Sequence, residues 1–186
     1  MRRLGVLISG GGTNLQAIID ACEKEKISGE VAVVLSNKED VYGLERAKKQ
    51  HIPHYVARDN QEILDILEKE KVDLVVLAGY LKKIPKEMID RYLNKIINIH
   101  PSLIPAFAGK GFYGIKVHEA AIKRGVKVSG ATVHLVNEDL DAGPILEQEV
   151  VPVLKSDTPE DLQQRVLKVE HRLLVQAIQS LLKGEY

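Results

Sequence analysis

Short apolar runs alternate along the chain with longer stretches in which apolar residues recur every three or four positions. Leu4–Ile8, Val31–Leu35, Leu74–Ala78 and Ile96–His100 are rich in Val, Ile and Leu, and His54–Ala57 is a weaker run. They show little polar alternation, as expected of strands buried on both faces. Between them Asn14–Lys24, Gly43–Gln50, Gln61–Lys69 and Lys86–Tyr92 carry a helical period. The β-α-β-α order predicts a parallel sheet with helices on both faces. After a helix near Ile115–Lys123 the character changes. "VKVSGATVHLV" alternates more clearly, and beyond the turn-rich "NEDLDAGP" lies another strand, "ILEQEVVPV". These two are expected to pair antiparallel. Thr158-Pro159 then opens a long helix with proline at its first position. The expected fold is α/β, a single-domain Rossmann-like three-layer sandwich over residues 1–186, mostly parallel with an antiparallel pair in the C-terminal half.

Composition narrows this picture mainly by exclusion. The chain has 26 basic and 26 acidic residues, so no overall field draws it to nucleic acid or an anionic membrane. Cys22 is the only cysteine, which excludes an internal disulfide and CxxC chemistry. No apolar stretch is long enough to span a bilayer, and the N-terminus lacks a signal-peptide pattern. A soluble, cytoplasmic protein is the expectation, with small-molecule partners and no nucleic acid or membrane.

"LGVLISGGGTNLQAII" reads as strand, glycine loop and helix. Such a turn lets backbone N–H groups approach an anion and aims a helix N-terminus at it. A dinucleotide fingerprint fails because Leu15 stands where its third glycine would be. A nucleoside-triphosphate loop fails because no lysine follows the glycines. The loop therefore suits a monophosphate, with Thr13 and Asn14 as added donors. The plainer alternative is a tight turn with Thr13 capping the helix.

"NIHPSLIPAF" places Asn98 and His100 two apart at the end of a strand that Pro101 stops. Residues two apart share a face, and open α/β sheets bind ligands at the carboxyl ends of their strands. An amide donor beside an imidazole suits attack on a carbonyl, since one steadies an oxyanion and the other moves protons. Asp141, in the loop before Gly143-Pro144, is the candidate carboxylate for orienting His100. His51, His54, His118, His134 and His171 sit in no local motif and are read mostly as surface or structural. No metal-ligand cluster is evident.

Together, "VLISGGGTNLQAIIDAC", "VVLAGYLKKI", "NIHPSLIPAF", "YGIKVHEAAI", "GATVHLVNEDLDAGPILEQ" and "VEHRLL" resemble, essentially end to end, the phosphoribosylglycinamide formyltransferases of the folate-dependent formyltransferase superfamily. The resemblance implies transfer of a formyl group from 10-formyltetrahydrofolate, a co-substrate, to the amine of glycinamide ribonucleotide in purine synthesis, without a metal. It implies Asn98, His100 and Asp141 as the catalytic set. Gly12, Thr13, Asn14 and Glu170 would bind the ribonucleotide, although composition alone makes Glu170 a solvated surface acid. Leu81, Lys82, Lys83, Ile84, Asn98 and Asp141 would line the folate site, under a loop at Asn137–Asp141. The family's arginine for the folate tail aligns with Asn60, and Arg58, two residues away, is the substitute candidate. Residues 1–100 would form the ribonucleotide half, and 101–186 the folate half with the C-terminal helix.

Asp141, His100 or an ordered water would carry the proton from amine to folate nitrogen. A formyltetrahydrofolate deformylase or another folate-dependent formyltransferase is the nearest rival, and the expectation against it is that the extra domains that the resemblance implies for deformylases and tRNA formyltransferases find no room here. A non-catalytic nucleotide-binding module would leave Asn98, His100 and Asp141 without a role. A nicotinamide dehydrogenase is disfavoured by the broken fingerprint. Either a monomer or a homodimer fits the sequence.

Overall fold

A computed structural model describes residues 1–186. Seven strands form one sheet: β1 (Arg2–Ile8), β2 (Gly29–Ser36), β3 (His54–Val56), β4 (Leu74–Leu77), β5 (Ile96–His100), β6 (Val128–Leu135) and β7 (Ile145–Pro152). Six helices connect or follow them: α1 (Thr13–Glu23), α2 (Tyr42–Lys49), α3 (Asn60–Lys69), α4 (Lys86–Arg91), α5 (Ile115–Arg124) and α6 (Pro159–Lys183). The strand order is β3-β2-β1-β4-β5-β6-β7. β1 to β5 pair parallel, whereas β6 runs antiparallel to both neighbours. The expected antiparallel pair is thus one reversed strand making two antiparallel ladders. No helix is long and apolar enough to cross a membrane.

The chain winds outward from β1 to β3, then returns to place β4 and β5 on the other side of β1. The crevice at such a reversal, beyond the carboxyl ends of β1 and β4, is where open sheets take ligands. Side-chain alternation divides the core into two layers. Leu4, Val6 and Ile8 of β1, with Ile97 and Ile99 of β5, face α1, α5 and α6 in a cluster of 27 buried residues. Leu7, Val75, Leu77 and Ile96 face α3 and α4 in a smaller cluster of 14. No residue of β6 or β7 belongs to that second cluster. On that face, therefore, the ends of β5 and β6 are left to polar side chains.

α6 starts on a capping box in which Thr158 and Asp161 exchange hydrogen bonds, with proline just inside. This satisfies donors that the first turn otherwise leaves open, worth about 1 kcal/mol against alanine at the cap. Its buried stripe, Leu162, Val166, Leu173, Leu174 and Ala177, keeps the helical period and packs on β5, β6 and α1. Glu170 lies within that stripe and is buried with it.

Candidate active site

β1 ends at Ile8, and a glycine loop turns the chain into α1. Gly12 is the N-cap, at φ 72°, and no side chain caps the helix, so the alternative with a Thr13 cap is not realised. A Cβ on Gly12 would stand 2.8 Å from the Cα of Gly43 on α2, so glycine is required there for space as well as for its backbone angle. The N–H groups of Gly10, Gly11 and Gly12 donate to no backbone acceptor. Unpaired donors leading into the start of a helix form an anion site when nothing else satisfies them.

This loop lines a cleft of about 340 Å³ together with Gly79, His118, Gln163 and Glu170. Glu170 is only 5% exposed, and Asn14 Nδ2 donates to its Oε1 at 3.2 Å. Burial pushes its carboxyl up to about 7, against the pull of that hydrogen bond. Composition had favoured a solvated acid, but the turn of α6 carries it inward. His118 is equally buried, with no partner for Nδ1. Burial, and after it the His100 ring, lower its pKa to about 4, so it is neutral at physiological pH.

Asn98 and His100 face the side opposite Ile97 and Ile99, as the two-residue period requires. Their partners across the antiparallel ladder are His134 and Thr132. His134 Nδ1 lies 2.8 Å from the carbonyl of Leu135, which only accepts, so that nitrogen carries the proton. With that proton on Nδ1, Nε2 is the acceptor of the ring, and Asn98 Nδ2 donates to it at 3.1 Å. This fixes the amide orientation and leaves the second Nδ2 hydrogen free. His100 Nε2 donates to the carbonyl of Phe107 at 2.8 Å, and its Nδ1 faces Asp141 Oδ2 at 3.6 Å.

Asp141 also stands 3.8 Å from His134 and accepts the N–H of Gly109 at 2.9 Å. Burial raises its pKa, but His134, His100 and the Gly109 N–H outweigh burial and hold it below the usual range. For His100 the balance runs the other way: burial lowers its pKa more than Asp141 raises it. The ring is therefore neutral at rest, and the aspartate only softens the cost of charging it. Asp141 adopts φ 52°, uncommon for a non-glycine residue. The following turn is tight, since a Cβ on Gly143 would fall 1.7 Å from the carbonyl oxygen of Leu135.

A second cleft opens beside Asn98. Its walls include Lys82, Lys83, Ile84, Asn98, His134 and Asp141. Leu81, by contrast, is 49% exposed outside those walls, although its N–H is held by Ser9 Oγ at 2.9 Å. Arg58 turns its guanidinium to Glu39 at 3.1 Å and to the carbonyl of Asn37. Its backbone carbonyl accepts from Lys82 Nζ at 2.6 Å, and Arg58 itself does not line the cleft. Asn60 opens α3 behind the Asp59 cap. Sequence reasoning brought together Asn98, His100 and Asp141, but passed over His118 and His134. No local signal marks His134, since only its pairing with Asn98 across the ladder brings it to the site.

The chain belongs to the formyl transferase family, whose model matches residues 2–178. It is 42% identical over 193 residues to the phosphoribosylglycinamide formyltransferase of Haemophilus influenzae, covering 99% of this chain and 89% of that one. The chloroplastic phosphoribosylglycinamide formyltransferase of Arabidopsis thaliana is 44% identical over 187 residues. That alignment takes in 95% of this chain but 64% of the plant protein, so the chain spans just under two thirds of that relative. The crystal structure of glycinamide ribonucleotide transformylase 1 from Symbiobacterium toebii superposes with a TM-score of 0.93 at 44% identity, covering 99% of this chain and 89% of that one.

Proposed function

We propose that the protein transfers the formyl group of 10-formyltetrahydrofolate to the amine of glycinamide ribonucleotide, as the names of its relatives describe for them. The observation that carries this reading is that two clefts meet the end of β5: Ile99 and Pro101 line the one with the anion loop, and Asn98 lines the other with Lys82, Lys83, Ile84 and Asp141. In this reading the phosphate rests on Gly12, Thr13 and Asn14, and Glu170 accepts from the ribose hydroxyls. The pterin enters the second cleft beneath residues 137–141. Residues 1–100 then contribute the phosphate loop, and residues 101–186 the Asp141 loop and α6. Arg58 reaches the folate tail only by leaving Glu39.

The amine attacks the formyl carbon, and the carbonyl pair moves onto oxygen. The free Nδ2 hydrogen of Asn98 donates to that oxygen, as preorganised donors do at developing oxyanions. Since Phe107 takes the Nε2 hydrogen of His100, Nδ1 is the ring atom left to accept a proton from the adduct nitrogen. Asp141, facing Nδ1, stabilises the imidazolium so formed. Return of a proton to the folate nitrogen, with cleavage of its bond to the formyl carbon, completes transfer.

The test follows tetrahydrofolate formation from 10-formyltetrahydrofolate with glycinamide ribonucleotide present and with water alone. Turnover that requires the ribonucleotide is the expected result. Equal turnover without it would replace the transferase by a deformylase.

A further inference from the structure

The cleft assigned to the ribonucleotide has an electrostatic gap. None of the side chains lining it is a lysine or arginine, while Glu170 brings a carboxyl into it. A phosphate dianion held by backbone dipoles alone would sit in a site with no cationic counterpart. The guanidinium that approaches this loop comes from behind it, on α2. Arg46 Nε donates to the carbonyl of Gly11 at 2.8 Å, and its Nη1 donates to Gln16 Oε1 in the first turns of α1 at 3.3 Å. The group stacks over the Tyr42 ring at 4.7 Å. It makes no ion pair with any carboxylate.

The geometry of the peptide unit gives that contact a consequence. In a planar trans peptide the carbonyl of one residue and the N–H of the next point in opposite directions. The Gly10 carbonyl accepts from the N–H of Gly43 at 3.1 Å, and the Gly11 carbonyl accepts from Arg46. Both acceptors are thereby turned toward α2. The N–H groups of Gly11 and Gly12 must then face the other way, into the cleft, where they find no backbone partner. A glycine run has wide conformational freedom, so this outward pull is what selects one loop shape.

We propose that Arg46 is the positioning residue of the anion loop: it holds the Gly11 carbonyl so that the Gly12 N–H faces the substrate phosphate, and it supplies the positive charge the cleft lacks. This rests on the ribonucleotide reading of the cleft. It differs from a merely structural role because it acts on phosphate and not on the formyl donor.

The experiment compares wild type, Arg46→Met and Arg46→Lys by steady-state kinetics, with inorganic phosphate as a competing probe. Methionine keeps the apolar stem on Tyr42 but loses both donor and charge. Its KM for ribonucleotide should rise about 10- to 100-fold, the range for a charge-assisted hydrogen bond. The inhibition constant of phosphate should weaken in parallel, while kcat and the KM for folate stay within about twofold. Lysine restores charge without the guanidinium fork and should fall between. Unchanged ribonucleotide KM and phosphate inhibition in Arg46→Met would overturn the proposal, as would equal losses in kcat and both KM values. Should the methionine variant melt too low to assay, the lysine variant carries the same test, with both constants unchanged counting against it. Failure of phosphate to compete with ribonucleotide in wild type would instead overturn the reading of the cleft itself.

Discussion

Replacing Glu170 by glutamine should stabilise the unliganded protein at alkaline pH while weakening its hold on the ribonucleotide. Glu170 is 5% exposed, its carboxyl is pushed from 4.5 to about 7 by burial, and Asn14 donates to it. The folded state therefore prefers the protonated acid. Its contribution is whole below about pH 4.5 and is lost as pH rises through about 7. The gap between those values, at about 1.36 kcal/mol per pH unit, corresponds to about 3 kcal/mol by about pH 8 or above. Glutamine resembles the protonated acid in shape and carries no charge to bury. Its amide can also donate to Asn14 Oδ1, which has no partner in the wild type.

Urea unfolding of both proteins without ligand, at about pH 5 and about pH 8, measures the difference. The variant should gain little at the lower pH and on the order of 3 kcal/mol at the higher. Titration of the other groups cancels in the comparison where they act independently of Glu170. Calorimetry at about pH 8 should show ribonucleotide binding weakened by about 1–3 kcal/mol, the cost of replacing a charged acceptor for hydroxyls. Parallel pH profiles in wild type and variant would refute the buried-acid argument. Unchanged binding would remove Glu170 from the ribonucleotide site while leaving that argument standing.

Asp141→Asn removes the charge facing His100, so the ring pKa, already lowered by burial, should fall further, and kcat should drop about 10²- to 10⁴-fold with smaller changes in KM. NMR titration of the ring beside kinetics checks this, and an unmoved pKa with intact kcat would reduce Asp141 to a loop residue. Gly12→Val forces a β-branched residue to φ 72° against Gly43, and should raise the KM for ribonucleotide far more than that for folate. Equal effects on both substrates would indicate general misfolding. Gly143→Ala would drive a Cβ into the Leu135 carbonyl, costing about 3 kcal/mol or more in a urea melt, and a neutral result would mean the turn relaxes easily.

Legibility differed along the chain for identifiable physical reasons. β5 was readable to the residue because Ile96, Ile97 and Ile99 make a short apolar run that Pro101 ends. α6 was readable at its start because Thr158-Pro159 is a local signal that needs no partner. The pairing of β6 with β5 was not readable, since antiparallel register depends on a partner far away in the chain, and nothing in "GATVHLV" names it. For the same reason His134 passed as structural: only the ladder puts it opposite Asn98. Arg58 shows the converse error. Its closeness in sequence to the position of interest was real, but its guanidinium follows Glu39, a charge on a different loop.

The protonation of His100 marks a further boundary, because it depends on a balance of opposing effects. Proximity of a carboxylate predicts an imidazolium, and Asp141 does stand beside the ring. The same sheet packing that fixes Asn98 and His100 also removes water from them, and for His100 that loss outweighs one aspartate 3.6 Å away. A ring kept neutral at rest retains a free lone pair on Nδ1, because Phe107 holds the Nε2 proton. Under the proposed chemistry that lone pair is needed when the amine begins to shed its proton, and the aspartate charge is needed just after. A site with a permanently charged histidine would have the second property without the first. Burial and Asp141 therefore act at successive moments of the transfer, which explains why a residue that must change its charge sits on a strand end that barely sees water.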